Sequence, residues 1–179
     1  MDKKLSTESF EDGFDSTLQN TQQLANDGNA DAQFWVGFKF ACEGTSGSFS
    51  TAGQWYKKAA EQGHALAQFN LGVMYSRGQG FARNREMSSF WITKAAERGD
   101  CGAQYMLGMN RNRLSLDENP AVALESRIEA YKWLQLAAAQ GYAESEAGCD
   151  LVAMGMTMDG VKEAKRRAEA FVCVGLPAA

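Results

Sequence analysis

The chain is poor in the residues that build chemistry. Its 179 residues hold a single histidine, His64, and four cysteines, Cys42, Cys101, Cys149 and Cys173, which stand far apart with no C-x-x-C pair. One histidine and scattered thiols form no recognisable metal set and no Cys–His nucleophile pair at a readable spacing. The plain reading of the cysteines is free thiols, buried or half-exposed, in a reducing compartment. His64 directly follows a glycine and opens a helix, so a helix-start role is expected of it rather than catalysis. No G-x-x-x-x-G-K signature is present, and no strand precedes "RGQG" (77–80), so that stretch is no phosphate loop. The expectation is a protein without catalytic residues, cofactor or metal.

Long apolar runs are missing too. No segment approaches the roughly 20 apolar residues that a bilayer span needs, so no membrane insertion is expected. The start, "MDKKLSTESFEDGFDSTLQ", is charged and has no apolar h-region; no signal peptide is expected, and a cytoplasmic location follows as the simplest reading. A concentrated basic footprint is also lacking. Lys and Arg number 18 against 22 Asp and Glu, a net charge of −4, which argues against nucleic acid as a partner. The densest basic run, "KEAKRR" (162–167), lies among alternating apolar residues and reads as one solvated helix face. With 45% hydrophobic residues and charges of both signs throughout, the chain has the means to bury a core.

What is present is a sentence written more than once. "AAEQG" (59–63), "AAERG" (95–99) and "AAAQG" (137–141) end on Gly63, Gly99 and Gly141, spaced by 36 and 42 residues. "AQFWVG" (32–37), "AQFNLG" (67–72) and "AQYMLG" (103–108) begin 35 and 36 residues apart. Trp55, Trp91 and Trp133 again fall at 36 and 42. Three independent markers keep one period, the signature of a repeat architecture. Within the second unit, Ala67, Leu71 and Tyr75 form one apolar stripe on a helix running from about His64 to Ser76. Gly72 beside that stripe points to close approach of a second helix, since a mid-helix glycine otherwise costs about 1 kcal/mol. "RGQG" breaks the helix, and a second helix carries Trp91, Ala95 and Ala96 to a cap at Gly99. A lone helix pair cannot bury both faces, so the pairs must stack. Trp55, Trp91 and Trp133 are expected in the core.

The combined motif resembles the Sel-one-like repeats, a class of tetratricopeptide-like α-solenoids. The second unit carries it through Ala65, Ala67, Leu71, Gly72, Tyr75, Gly78, Gly80, Trp91, Lys94, Ala95, Ala96 and Gly99. The first keeps Ala32, Gly37 and "WYKKAAEQG" (55–63), with an altered linker, "EGTSGSFST". The third keeps Ala103, Leu107, Gly108 and "AYKWLQLAAAQG" (130–141), has Arg111 in the tyrosine position, and gains six residues within "NRNRLSLDENPAVALES". The resemblance implies an all-α fold, a short right-handed solenoid of antiparallel helix pairs. Its units are expected at about 29–63, 64–99 and 100–141 within a single domain of residues 18–179. "LQNTQQLANDG" (18–28) reads as an N-terminal capping helix, and residues 142–173 as a degenerate C-terminal cap, with Cys149 and Asp150 where leucine and glycine would stand. Residues 1–17 read as a flexible acidic tail.

The resemblance also implies scaffolding of protein assemblies, often in bacterial signalling, envelope or host-contact settings, with the first helices lining a concave groove. At about 100° per residue, Leu66, Phe69, Val73 and Arg77 fall opposite the packed face of the second unit's first helix. Phe34 and Phe38 are their equivalents in the first unit, and Tyr105, Met109 and Arg113 in the third. Aromatic and apolar residues edged by arginine suit a protein or peptide partner. The competing reading packs Phe34, Phe69 and Tyr105 between neighbouring first helices. Trp35, off the core stripe, is a candidate edge contact. The function expected is a non-catalytic adaptor; the alternative is a self-assembling module. In that alternative the groove holds the chain's own tail, with Leu5, Phe10 and Phe14, or a neighbour's, giving a homodimer.

Overall fold

The computed structural model describes residues 19–116 and 119–171. Within them the chain is helical without strands. Helical residues 19–26 (α1) are followed by α2 (Ala30–Glu43), α3 (Ser46–Glu61), α4 (Ala65–Arg77), α5 (Arg85–Glu97), α6 (Cys101–Leu114), α7 (Pro120–Ala139), α8 (Glu144–Ala153) and α9 (Met158–Glu169). The helices pair as α2–α3, α4–α5 and α6–α7, each pair packs on the next, and α8 and α9 close the array against α7. The fold is an α-solenoid of antiparallel helix pairs.

The junction between units is one device used repeatedly. Gly28, Gly63, Gly99 and Gly141 take φ of 99°, 91°, 92° and 80°, a left-handed conformation that glycine alone adopts without strain. The next residue's N–H turns back into the finished helix: His64 donates to the Ala59 carbonyl at 3.1 Å, Asp100 to Ala95 at 3.0 Å and Tyr142 to Ala137 at 3.1 Å. That is a Schellman stop. The same residue then starts the following helix. Asn29, His64 and Asp100 each accept the N–H of the third residue on, from Ala32, Ala67 and Ala103. His64 does so through Nδ1, the helix-start role expected of it.

The "AQ" of each unit ties the junction from inside. Gln33, Gln68 and Gln104 are buried and donate to the carbonyls of Ala25, Ala60 and Ala96 at 3.1, 2.9 and 3.2 Å. Each thereby gives a second hydrogen bond to a last-turn carbonyl that also accepts the N–H of Gly28, Gly63 or Gly99. Gln62 and Gln140, at the ends of α3 and α7, cap the network by donating to the Gln33 and Gln104 side-chain oxygens at 2.7 and 2.9 Å.

Glycine in the "LG" position brings each pair together. A Cβ on Gly37 would lie 2.9 Å from the Tyr56 ring, on Gly72 2.8 Å from Ile92, and on Gly108 2.7 Å from Leu134 and 2.9 Å from the Ala130 carbonyl. The core runs along the array in successive clusters: Phe34, Tyr56, Leu71 and Trp91, then Ile92, Leu107 and Trp133, then Tyr131, Leu134 and Val152. Trp91 and Trp133 are buried. Trp55 corrects the expectation: it is only half-buried, packed at the edge of the small cluster of Ala25, Ala32 and Val36, and Lys58 Nζ sits 4.1 Å over its ring.

Both altered linkers are mostly helix. In the first unit α3 begins at Ser46, started by a reciprocal capping box between Thr45 and Ser48. In the third, α7 has 20 residues against 13 in α5, so the enlargement became additional helix at its start, capped by Asn119 with Pro120 in the first turn. The first half of α7, extension included, carries the C-terminal cap. Arg127 donates to the Gly155 carbonyl, Leu124 lies over Gly160, and Arg167 of α9 pairs with Glu125 and Glu129 of α7 as well as Glu163. Arg167 thus leaves the solvated face on which "KEAKRR" was read.

Candidate interaction surface

The structure divides the sequence-derived groove residues into two sets. Phe34 is buried, 6% exposed, with its ring 4.6 Å from and stacked on His64 and 5.8 Å from Tyr56. Phe69 meets Gly102 at the start of α6, and Tyr105 stacks on Tyr142 just before α8 at 5.1 Å. In all three units the aromatic after "AQ" therefore packs on the entry of the next unit's first helix. One turn later, Val73 packs against the cluster that holds Ile92, Leu107 and Trp133, and Met109 lies with Sδ against Gly148 of α8. Phe34 is closed to a partner, and Phe69, Val73, Tyr105 and Met109 are half-buried in contacts between units. The physical reason is the short junction: with only three residues between α3 and α4 and between α5 and α6, and four between α7 and α8, successive first helices sit close enough for a ring to bridge them.

The second set is open. Trp35, Phe38 and Leu66 are 57%, 44% and 50% exposed, and Arg77 and Arg113 are exposed. Trp35 and Phe38 lie edge to face, 5.8 Å between ring centroids and 86° between planes. This is an aromatic pair in water, one helical turn apart on α2. Arg113 donates to Asn110 Oδ1 at 3.1 Å along its own helix. Leu5, Phe10 and Phe14 of the tail, Cys173 and the end of the C-terminal cap lie outside the described residues.

Burial shifts titratable groups of the fold. Burial pushes the Tyr56 hydroxyl to about 12 and the Cys149 thiol to about 11, away from the thiolate that a nucleophile needs. Burial also lowers the His64 pKa, against the opposing pull of Asp31. Among the described residues no cluster of His, Cys, Asp and Glu could hold a metal ion, and no helix is long and apolar enough to cross a membrane.

Comparison with known proteins bears on this geometry. Among solved structures, a Sel1 repeat protein from Oxalobacter formigenes is 28% identical, with a TM-score of 0.61, and the match covers 86% of this chain and 69% of that one. A protective antigen present in uropathogenic Escherichia coli strains, displaying an SLR fold, is 20% identical with a TM-score of 0.58; 86% of this chain aligns with 40% of that chain. The second likeness bears on the fold alone, and the chain spans well under half of that antigen's length. No curated protein matches the chain. The Sel1 repeat family model matches residues 30–64, 65–100 and 102–142, in register with the pairs α2–α3, α4–α5 and α6–α7. The chain therefore belongs to the Sel1 repeat family, whose members are in general protein-interaction scaffolds.

Proposed function

We propose that the chain is a non-catalytic adaptor that seats a peptide or protein segment along the outward faces of its first helices, with Trp35, Phe38 and Leu66 as the apolar anchors. The observation that carries the reading is the Trp35–Phe38 pair. Two large aromatic rings in edge-to-face contact are held in water by a rigid helix, whereas their counterparts Met106, Val73 and Met109 are drawn at least half under cover. Aromatic side chains of this kind dominate binding hot spots, because each buries a large area at little entropic cost. Free thiols at Cys42, Cys101 and Cys149 suit a reducing compartment, which supports a cytoplasmic site of action.

The test is affinity capture with wild type and a Trp35→Ala/Phe38→Ala variant, each first checked by circular dichroism and by sedimentation. A specific protein retained by wild type and reduced at least tenfold in the variant supports the adaptor. Equal retention by both removes this surface from the reading. A wild-type dimer that the variant converts to monomer moves the assignment to self-assembly.

A further inference from the structure

A cleft of about 1050 Å³ opens between the second and third units, walled by the outer face of α5, the loop before it and the second half of α6. Arg83, Arg85, Lys94 and Arg113 reach it, against the acids Glu86 and Glu97. On a chain of net charge −4 this is a local excess of positive charge. None of these four cations is in an ion pair among the described residues. The cleft also has an apolar side: Phe90 is 48% exposed with Lys94 Nζ 5.1 Å from its ring centroid, and Met106 lines the opposite wall.

We infer that this cleft binds an acidic peptide segment carrying a large apolar side chain, presented by a partner protein. Arg83 and Arg85, outside any ion pair, present guanidinium forks suited to carboxylates, and Phe90 with Met106 offers the apolar side chain a seat. Glu86 and Glu97 within the wall discriminate against a nucleic acid, whose evenly spaced phosphates cannot avoid them, while a peptide can place its carboxylates singly. The site rests on the scaffold reading but uses a different surface from Trp35 and Phe38.

The experiment is fluorescence anisotropy of the full chain with a labelled peptide rich in Asp and Glu and containing Phe. The same peptide with Lys in place of the acids is the control. The acidic peptide is expected to bind at least tenfold tighter than the control, to weaken about tenfold as salt rises through the range where the Debye length shortens, and to lose at least tenfold in Arg83→Glu/Lys94→Glu. Should that variant fold poorly, Arg83→Gln/Lys94→Gln is expected to lose about threefold. Unchanged affinity in a folded variant overturns the site, as does equal binding of the Lys peptide. Displacement of the acidic peptide by single-stranded oligonucleotide at lower concentration also overturns it. Tighter binding of a peptide of residues 1–18 would replace the partner with the chain's own N-terminal segment. The Trp35→Ala/Phe38→Ala variant is expected to bind the peptide like wild type, so loss of groove capture and loss of cleft binding are read separately.

Discussion

At the scale of single residues, two positions carry consequences that can be measured. His64 is the chain's one histidine, and it caps α4 through an unprotonated Nδ1. Because burial lowers its pKa in the folded state, the unfolded chain, with its histidine near 6.5, binds the proton first. The contribution is therefore whole above about pH 6.5 and is lost as pH falls from there toward the lowered folded value. Asn29 caps α2 in the equivalent position without titrating. Denaturant unfolding of wild type between pH 7.5 and 5.5 is expected to show stability falling, and His64→Asn to flatten that slope; parallel slopes would disprove the cap linkage. Gly108 is the second position. Alanine there should gain about 1 kcal/mol in helix propensity, yet its Cβ would stand 2.9 Å from the Ala130 carbonyl, which cannot step aside without moving α7. Overpacking wins, and Gly108→Ala is expected to cost about 1–3 kcal/mol, measured by the midpoint of urea unfolding.

At the scale of elements, the three junctions are near copies, and the differences between them are informative. Gln62 and Gln140 close the buried amide network of the first and third units, but α5 ends on Arg98 instead. The Arg98 guanidinium lies against Gly63, and Gln68 Oε1 is left buried with no hydrogen-bond partner among the described residues. Installing the neighbours' residue, Arg98→Gln, supplies the missing donor and is expected to stabilise by about 1 kcal/mol; a lower melting temperature would show that the packing of Arg98 on Gly63 outweighs the bond. At the far end, α9 is held by the arginine that reaches three carboxylates. These groups are partly exposed and screened, so Arg167→Ala is expected to cost only about 1–2 kcal/mol. In a solenoid, however, each unit touches only its neighbours. Hydrogen exchange should accelerate across Met158–Glu169 and leave α2–α5 unchanged; a uniform rise would contradict the local picture.

At the scale of the whole molecule, stability and recognition are assigned to different surfaces. Rings that bridge units, at Phe34, Phe69 and Tyr105, belong to stability. Rings in water, at Trp35 and Phe38, contribute little to it, and their replacement by alanine is expected to shift unfolding by no more than about 0.5 kcal/mol. Phe34→Ala, which opens a gap between the first two units, is expected to cost about 3–5 kcal/mol. The contrast between neighbouring positions on one helix, read by thermal unfolding, checks the division.

Period, glycine stops and the apolar stripe were legible because they are local. A residue three or four places away on a helix must share its face, and a glycine that ends a helix does so whatever surrounds it, so the helix pairs and their stacking follow from the sequence. The close-approach role of Gly72 was legible for the same reason, its cost in a helix demanding a neighbour. Which aromatics on the outward face meet a partner was not legible, because helical phase assigns a direction and not a distance. Phe34 and Phe38 share that direction, yet His64 of the next unit closes over the first and leaves the second open. The use of the enlargement before Trp133 is likewise not legible in the sequence; only the contact of α7 with α9, with Arg167 on Glu125, shows it as part of the support of the C-terminal cap. The gathering of Arg83, Arg85, Lys94 and Arg113 in one cleft left no periodic trace at all, since the four come from a loop and two helices brought together only by the stacking of units.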